Sequence, residues 1–304
     1  MNWSMAGSKW ASVTAAAAAP VGAGVELGGL TLERRLGRHA LADRWLARDR
    51  ARGEPFVAYR VDLLAGARGE KRFRLAVEML TSLRHPHVCP VLWFETEAAG
   101  GRWVVSPYVG GPGGITTVAE VARERDGGIL SPTEVCSAVE QVLGLMAYAH
   151  ARGFCHGRIG AEDLIVDRRG AVVAELYGLS RRLRGLPAAD GATCVEEVRS
   201  LAELARTLLL GAGPSAPWAP IGAEREPHAG PDEGALIAWL RRALGRDVPG
   251  FRSADDALRR LRRLREVSLG GMRGIPVVRR WRRAMTTRRV AMAPAEPEDA
   301  RRQA

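Results

Sequence analysis

Short runs of alternating apolar and polar residues dominate the first third of the chain. LTLERRLG, ADRWLARD and PFVAYRVDL are rich in strand-forming residues and are separated by turn residues, which predicts an antiparallel meander. EKRFRLAVEMLTSL then shows helical spacing, with one apolar stripe made of Phe73, Val77, Leu80 and Leu83. CPVLWFET and GRWVVSPYV return to strand character. The pattern predicts a small antiparallel sheet accompanied by one helix.

After the glycine-rich break at 110–114 the pattern becomes helical. SPTEVCSAVEQVLGLMAYAHARG begins with Ser131 as N-cap and Pro132 at the first helical position, and Glu134 completes a capping box. Gly153 ends this helix. Its buried face is predicted to consist of Val135, Ala138, Val139, Val142 and Met146. Further helices are predicted at about 195–210, 232–245 and 253–267.

The order of these elements predicts an α+β fold with two lobes. Residues 29–110 form the small β-rich lobe, 111–270 form the larger helical lobe, and GGPGG is the candidate hinge. Residues 1–28 are an Ala/Gly-rich leader without periodicity, for which an unstructured leader is favoured over a cleaved signal peptide. No run is long and apolar enough to span a membrane. We expect a cytoplasmic protein, with peripheral membrane association as the alternative.

Charge and cysteine content change this picture little. The net charge of +11 is concentrated between positions 259 and 290, which contain twelve arginines and one acidic residue. The four cysteines (Cys89, Cys136, Cys155 and Cys194) lack CxxC spacing, which predicts small buried residues instead of a disulfide or zinc framework.

The basic segment at 271–304 allows three interpretations. Residues 271–290 can be a solvated or docked tail, an anchor for an acidic protein or an anionic membrane surface, or, less favoured, a nucleic-acid contact. Trp281, flanked by two arginine pairs, suits any of the three.

Seven fragments in order resemble the bacterial serine/threonine protein kinases, over about residues 30–267. These fragments are LG after the first strand, VAYR for V-A-I-K, RHPHVCPVLWF for the H-P-N-I-V segment, VSPYVGG for the hinge, AYAHARGFCHGRIGAEDLIVD for the helix and catalytic loop, ELYGLSRRL for D-F-G-L-S, and EEVRSLAELARTLLLG for a later helix. The resemblance implies the bilobal protein-kinase-like fold.

The resemblance also implies an altered nucleotide pocket. The glycine-loop positions fall on Gly37, His39 and Ala42, and the phosphate-binding lysine falls on Arg60. Arg60 can equally be a solvated strand residue or pair with another acid. The helix glutamate that pairs with the lysine is replaced by Ala76, and Glu78 lies on another side of the helix. A vestigial pocket, if present, is predicted at Gly37, Ala58, Arg60, Ser106 and Asp163.

The catalytic loop departs most from the family. Arg158 stands where the family has its catalytic aspartate, and an arginine cannot accept a proton. Leu176 replaces the magnesium-binding aspartate. Rescue by Glu175 is disfavoured because adjacent residues of an extended segment face opposite ways. We expect no metal site; Asp163 is the candidate if one exists, although a solvated turn aspartate is favoured. Only nineteen steps separate Gly178 from Glu197, so the activation segment is shortened.

Packing positions of the family are retained by comparison. The resemblance places His156, Tyr177, Leu80 and Leu92 on or beside a hydrophobic column, and it gives Glu197 a role in accepting hydrogen bonds from the catalytic-loop backbone. These observations favour a pseudokinase that works as a scaffold or regulatory binding module for a protein partner. No cofactor is expected, although ATP binding without strict magnesium dependence is compatible with the residues. The alternatives are an atypical ATP-binding kinase, and a membrane-surface or nucleic-acid adaptor acting through the tail.

Overall fold

The computed structural model describes residues 22–61, 67–96, 101–186, 189–211, 231–245 and 250–269. Its strands are β1 (Glu26–Leu27), β2 (Leu30–His39), β3 (Ala42–Asp49), β4 (Pro55–Val61), β5 (Trp93–Thr96), β6 (Arg102–Pro107), β7 (Leu164–Val166) and β8 (Val172–Ala174). Its α-helices are α1 (Ala67–Leu80), α2 (Val118–Arg123), α3 (Pro132–His150), α4 (Leu179–Leu183), α5 (Gly191–Leu210), α6 (Pro231–Leu244) and α7 (Ala254–Leu269).

The described residues form two compact units. The sheet unit contains the described residues up to Leu83 together with Pro90–Tyr108 and Leu179–Leu186. The helical unit contains Arg84–Cys89, Val109–Gly178 and the described residues from 189 onward. The predicted α+β class, with a small antiparallel sheet and one long helix followed by mainly helical structure, is confirmed.

An antiparallel sheet in the order β1-β2-β3-β4-β6-β5 forms the centre of the sheet unit. One face, here called the tryptophan face, carries a buried cluster that includes Trp45, Ala58, Trp103 and Val105. The opposite face, here called the helix face, receives α1, because Phe73 of α1 packs edge-on against Phe94 of β5 at 6.0 Å between ring centroids. Both faces of the sheet are therefore covered.

The first strand corrects one sequence prediction. The composition predicts an unstructured leader over residues 1–28, but Leu32 donates its N–H to the Val25 carbonyl oxygen at 2.9 Å and β1 pairs with β2. Leu27 is 1% exposed and belongs to the tryptophan-face cluster. Burial of this leucine explains why the segment joins the sheet. The remaining leader, residues 1–21, lies outside the described residues.

Helix α1 matches the predicted stripe. Phe73, Val77 and Leu80, and Leu83 just beyond the helix, are each at most 3% exposed. The short helix α4 packs against α1, and Arg72 of α1 donates from Nη1 to the Leu183 carbonyl oxygen at 3.3 Å. The segment that directly follows the ELYG motif is therefore part of the sheet unit.

Helix α3 packs against α5, α6 and α7 in the helical unit. The predicted Ser131–Glu134 capping box is present, and all five residues of the predicted stripe are buried. The later helices are confirmed near their predicted positions. Helix α5 begins earlier than predicted, at Gly191, because the Asp190 carboxylate caps it by accepting from the Thr193 N–H at 2.7 Å.

The cysteines have the predicted character. Cys89, Cys136 and Cys155 are buried, Cys194 is partly exposed, and all four are free thiols. Burial raises the pKa of Cys136 to about 12, which makes this thiol unreactive at neutral pH.

Candidate functional site

The register of β4 corrects the assignment of Arg60. A lysine that pairs with a helix glutamate must lie on the face of the sheet that receives the helix. Tyr59 pairs with Val104, which is also the partner of Phe94, so Tyr59 lies on the helix face. Arg60 pairs with Trp103 and shares the tryptophan face, with its side chain against Gly101. Arg60 therefore does not occupy the lysine position.

Buried side chains fill the helix face at this point. Tyr59 is fully buried and Val61 is 4% exposed. On α1, Ala76 is 3% exposed, while Glu78 is exposed on another side of the helix, as predicted. Nothing among these residues reproduces the family's ion pair between a lysine and a glutamate.

The β2–β3 turn carries side chains where the family has glycines. Gly37 has φ +130°, a conformation that glycine favours. His39 pairs with Ala42 across the turn, and both are buried, at 2% and 0% exposure. Strand register puts Ala42 and Arg44 on the helix face beside Val61 and Tyr59. The space beneath the turn is thus occupied by the protein's own side chains.

Arg44 is the buried cation of this region. It is 4% exposed, and its Nη1 donates to the Arg38 carbonyl oxygen at 2.9 Å. A buried guanidinium needs hydrogen-bond acceptors, since burying a charge without them is strongly unfavourable. Sequence reasoning missed Arg44, although strict alternation along ADRWLARD could have placed it on the same face as Leu46.

The other predicted pocket residues are dispersed. Ala58 is buried in the tryptophan-face cluster. Ser106 is 1% exposed on β6, where it pairs with Val57. Because Ala58 and Ser106 are on opposite faces of the sheet, they cannot line one pocket together with Gly37 and Arg60.

Arg158 extends along the surface of the helical unit. Its side chain is 88% exposed, and its Nη2 lies 4.0 Å from the Glu203 carboxylate of α5. Such an exposed ion pair contributes at most about 1 kcal/mol to stability. Arg158 supplies neither a base nor a buried positive charge.

Leu176 occupies the metal-aspartate position as a buried apolar group. Its side chain is 3% exposed, and its φ of +44° makes it the one non-glycine residue with positive φ in the described ranges. This conformation is unfavourable for a leucine by about 1–2 kcal/mol, whereas aspartate and asparagine tolerate it better. The leucine side chain offers no oxygen ligand to a metal ion.

The two candidate replacement carboxylates have other environments. Asp163 accepts from the Gly160 N–H at 2.7 Å, as a turn aspartate does. Glu175 is fully buried, and its N–H donates to the Asp163 carbonyl oxygen at 3.0 Å. The favoured interpretation of Asp163 as a turn residue agrees with this geometry, except that its side chain is only partly exposed.

Glu197 is the centre of a buried polar network in the helical unit. Its Oε2 accepts from the Cys155 thiol at 2.6 Å, from the His156 backbone N–H at 3.0 Å and from His150 Nε2 at 3.1 Å. Its Oε1 accepts from the Tyr177 hydroxyl at 2.5 Å. The predicted contact with the catalytic-loop backbone is present, and three further donors satisfy the carboxylate.

These contacts set the ionisation of the network. Burial raises the pKa of Glu197, but the hydrogen bond from His150, the electrostatic effects of His150 and His156 and the hydrogen bond from Cys155 outweigh burial and leave that pKa below its ordinary value. Burial, followed by the neighbouring Glu197 carboxylate, raises the pKa of Tyr177 well above its ordinary value. At neutral pH the network therefore contains a buried carboxylate and a neutral phenol.

Three residues of the network carry atoms that can bind a metal ion. His150, Cys155 and Glu197 offer ligand atoms within 4.8 Å of one another. However, the Cys155 Sγ and Glu197 Oε2 atoms are only 2.6 Å apart, and the thiol donates to the carboxylate. Two ligands of one tetrahedral zinc lie about 3.5 Å apart at ordinary bond lengths. The arrangement fits a hydrogen-bond network centred on a carboxylate better than a zinc site.

The predicted packing residues have mixed outcomes. His156 and Tyr177 stack with ring centroids 5.3 Å apart, and Leu80 is 3% exposed. Leu92 was expected in the same column but is 45% exposed, while its neighbour Val91 is 3% exposed. The assignment of Leu92 is wrong because adjacent residues in extended backbone face opposite sides, and Val91 faces the core.

The geometry defines a protein-kinase-like fold, and comparison with known proteins agrees. No family model matches the chain. The crystal structure of the Mycobacterium tuberculosis PknI kinase domain matches with a TM-score of 0.61 and 23% identity, over 81% of this chain and 100% of that one.

Sequence relatives are serine/threonine protein kinases. PknI of M. tuberculosis is 29% identical over 152 residues, which is 49% of this chain and 25% of PknI. PknD of Protochlamydia amoebophila is 26% identical over 155 residues, 42% of this chain and 15% of PknD. The curated relatives cited here are each matched over less than two thirds of their length. The predicted resemblance to bacterial serine/threonine kinases is confirmed.

The predictions on the basic tail and on membrane spans remain. The basic segment at 271–304 lies outside the described residues. Within the described residues, no helix combines the length and apolar character required to cross a bilayer.

Proposed function

We propose that this chain is a kinase-like module that does not transfer phosphate and acts instead by binding a protein partner. The observation that carries the proposal is the replacement of both chemical positions by side chains without the required oxygen. Leu176 is buried and apolar, and Arg158 is directed to solvent beside Glu203. Phosphoryl transfer requires a base or an orienting group, and metal ions held by carboxylates.

The helix face supports the proposal independently. His39, Arg44 and Tyr59 are buried beneath the β2–β3 turn, where the family places nucleotide phosphates close to backbone. A nucleotide at this place requires rearrangement of at least the tyrosine. The Glu197 network, in contrast, holds the backbone of the catalytic-loop segment in place through the His156 N–H. The protein thus preserves a shaped surface while lacking the groups for turnover.

Binding and turnover are tested separately with the full chain. A thermal unfolding titration with ATP, with and without Mg²⁺, measures binding, and phosphate release together with transfer to a generic protein substrate measures turnover. A ligand at a hundredfold excess over its Kd stabilises a fold by about 2.7 kcal/mol. We expect no turnover and no Mg²⁺-dependent stabilisation. Metal-dependent stabilisation with phosphate transfer would support the atypical kinase instead.

Two variants locate any nucleotide that binds without metal. Arg60→Ala removes a cation of the tryptophan face, and Arg44→Ala removes the buried cation of the helix face. Stabilisation that persists in Arg60→Ala and disappears in Arg44→Ala assigns an anionic ligand to the helix face. That outcome makes the module a nucleotide sensor and leaves the absence of phosphate transfer intact.

A further inference from the structure

Exposed apolar residues gather at one place on the sheet unit. Leu75 and Met79 of α1 and Leu186 after α4 are 53%, 40% and 42% exposed. With Ala76 and Gly185 they line a groove of about 410 Å³ between α1 and the α4 segment, here called the α1 groove. Other large exposed apolar side chains of the described residues, such as Val267 at 82%, lie outside it. A clustered apolar patch indicates an interaction surface more strongly than scattered residues do.

The rim of the α1 groove is basic. Lys71, Arg72 and Arg182 line it, and no acidic residue is among the described residues of its lining. Arg72 is held in place, because it donates to the Leu183 carbonyl oxygen and lies against Gly185. Glu70, which belongs to the same helix, is 3.6 Å from Arg74 through its Oε1 and does not line the groove. The groove therefore presents an apolar floor with positive charge at its edge.

The spacing of Leu75 and Met79 in the α1 groove indicates the shape of the segment that can bind there. Leu75 and Met79 are four residues apart, so they lie one above the other on α1. A row of this kind accepts apolar side chains repeated at i, i+3 or i+4, and i+7 of an amphipathic helix. Methionine also adapts its shape to different apolar partners.

We propose that the α1 groove binds an acidic amphipathic helix of a partner protein, with apolar anchors on Leu75, Met79 and Leu186 and carboxylates at Lys71, Arg72 and Arg182. The inference rests on the proposed function, because it identifies the kind of partner that a binding module of this fold engages.

Charge complementarity distinguishes this occupant from two others. Residues 271–290 of the same chain contain seven arginines and no acidic residue. If this segment docked in the α1 groove, its arginines would be repelled by the basic rim. A second copy docked through the same groove would also oppose three cations with three cations. An acidic helix brings the opposite charge, so the rim favours it.

The test uses a displayed library of random 16-residue peptides, selected on the full chain and counter-selected on a Leu75→Asp/Met79→Asp double variant. Both substitutions are at exposed helix positions, and circular dichroism with thermal unfolding checks that the variant remains folded. We expect enriched peptides that combine Asp and Glu with large apolar residues at helical spacing. Affinity for the double variant should fall at least about tenfold, as for interface hot spots.

Matched variants separate the contributions. Lys71→Glu combined with Arg182→Glu should weaken acidic peptides by at least about threefold, as for charged contacts at an interface rim. Glu78→Ala on the same helix and Val267→Asp on α7 should leave affinity unchanged. Enrichment of neutral or basic peptides, absence of any peptide that depends on Leu75 and Met79, or a dimer in light scattering that disappears in the double variant each overturns the proposal.

The two proposals fail in distinguishable ways. Phosphate transfer by the full chain refutes the proposed function but does not affect peptide binding to the α1 groove. If no peptide binds the α1 groove and no turnover is found, the proposed acidic-helix partner is refuted. The proposal that the chain does not transfer phosphate then still stands.

Discussion

The helix face of the sheet unit and the Glu197 network of the helical unit both correspond to regions with polar groups in kinases. The first region holds buried packing residues here, whereas the second keeps a buried charge together with its hydrogen-bond donors. On the helix face side of the sheet unit, Tyr59 of β4 and Ala76 of α1 are buried in the region where the family has a lysine–glutamate pair, and their burial stabilises the fold. Around Glu197, a buried carboxylate retains four donors. Groups that serve only turnover are replaceable by apolar packing, whereas a buried charge whose donors hold a loop together is not.

The largest effect is expected from Glu197→Ala. The substitution leaves the Tyr177 hydroxyl, the Cys155 thiol, His150 and the His156 N–H without their acceptor, and should reduce the free energy of unfolding by about 3–5 kcal/mol. Urea unfolding measures the loss. Glu203→Ala, on the exposed side of the same helix, is the control and should change stability by less than about 0.5 kcal/mol. Equal effects of the two variants contradict a structural role for the network.

Leu176→Asp should destabilise the protein by about 2–4 kcal/mol, because it removes buried apolar area and buries a carboxylate. Leu176→Asn tolerates the positive φ without adding charge and should lose less. Combined with Arg158→Asp, the aspartate should not restore phosphate transfer, since neither Tyr59 nor Ala76 supplies the family's lysine–glutamate pair. Transfer by the double variant in a radiolabelled-phosphate assay would refute that conclusion.

Tyr177→Phe removes one hydrogen bond to a charged acceptor and should reduce the free energy of unfolding by about 1.5–3 kcal/mol. Stacking against His156 remains possible in the variant. Tyr148→Phe, at a tyrosine whose hydroxyl accepts from the Arg84 N–H, is the matched control for loss of a neutral hydrogen bond and should cost about half as much. Chemical unfolding of both variants measures the two losses. Equal losses would contradict the stronger hydrogen bond to the Glu197 carboxylate.

Acid should weaken the network with a defined sign. Because the pKa of Glu197 is lower in the folded than in the unfolded protein, its stabilisation is fully present above the ordinary value of 4.5 and is lost as the pH falls through the folded value. Stability measured from pH 6 downward should therefore fall more steeply in the wild type than in Glu197→Gln. If stability falls equally with pH in the two proteins, ionisation of Glu197 does not contribute to the acid sensitivity.

The smallest effect is expected from Arg158→Ala. Its side chain is exposed and pairs with Glu203 at 4.0 Å, so the change in unfolding free energy should stay within about 0.5 kcal/mol. Thermal unfolding at low and high salt measures it. A loss above about 1 kcal/mol indicates that Arg158 has a structural role that its exposure does not explain.

Local patterns predicted the fold well because they depend on neighbouring residues. The Ser131–Glu134 capping box and the α1 stripe appear as predicted. The Arg60 assignment failed because a fragment such as VAYR does not determine which face each residue occupies, and an offset of one residue reverses every face. His150 and Cys155 escaped notice as partners of Glu197 because they are 47 and 42 residues away from it, and only the tertiary fold joins them.

The division of the chain between units has a consequence for synthesis. The chain passes from one unit to the other after Leu83, Cys89, Tyr108, Gly178 and Leu186. The sheet unit is complete only when α4 has emerged from the ribosome, long after its strands. Contacts between residues so distant in sequence slow folding. No single cut releases either unit whole, so a truncated sheet unit ending at Tyr108 should expose the α1 surface that α4 covers and aggregate.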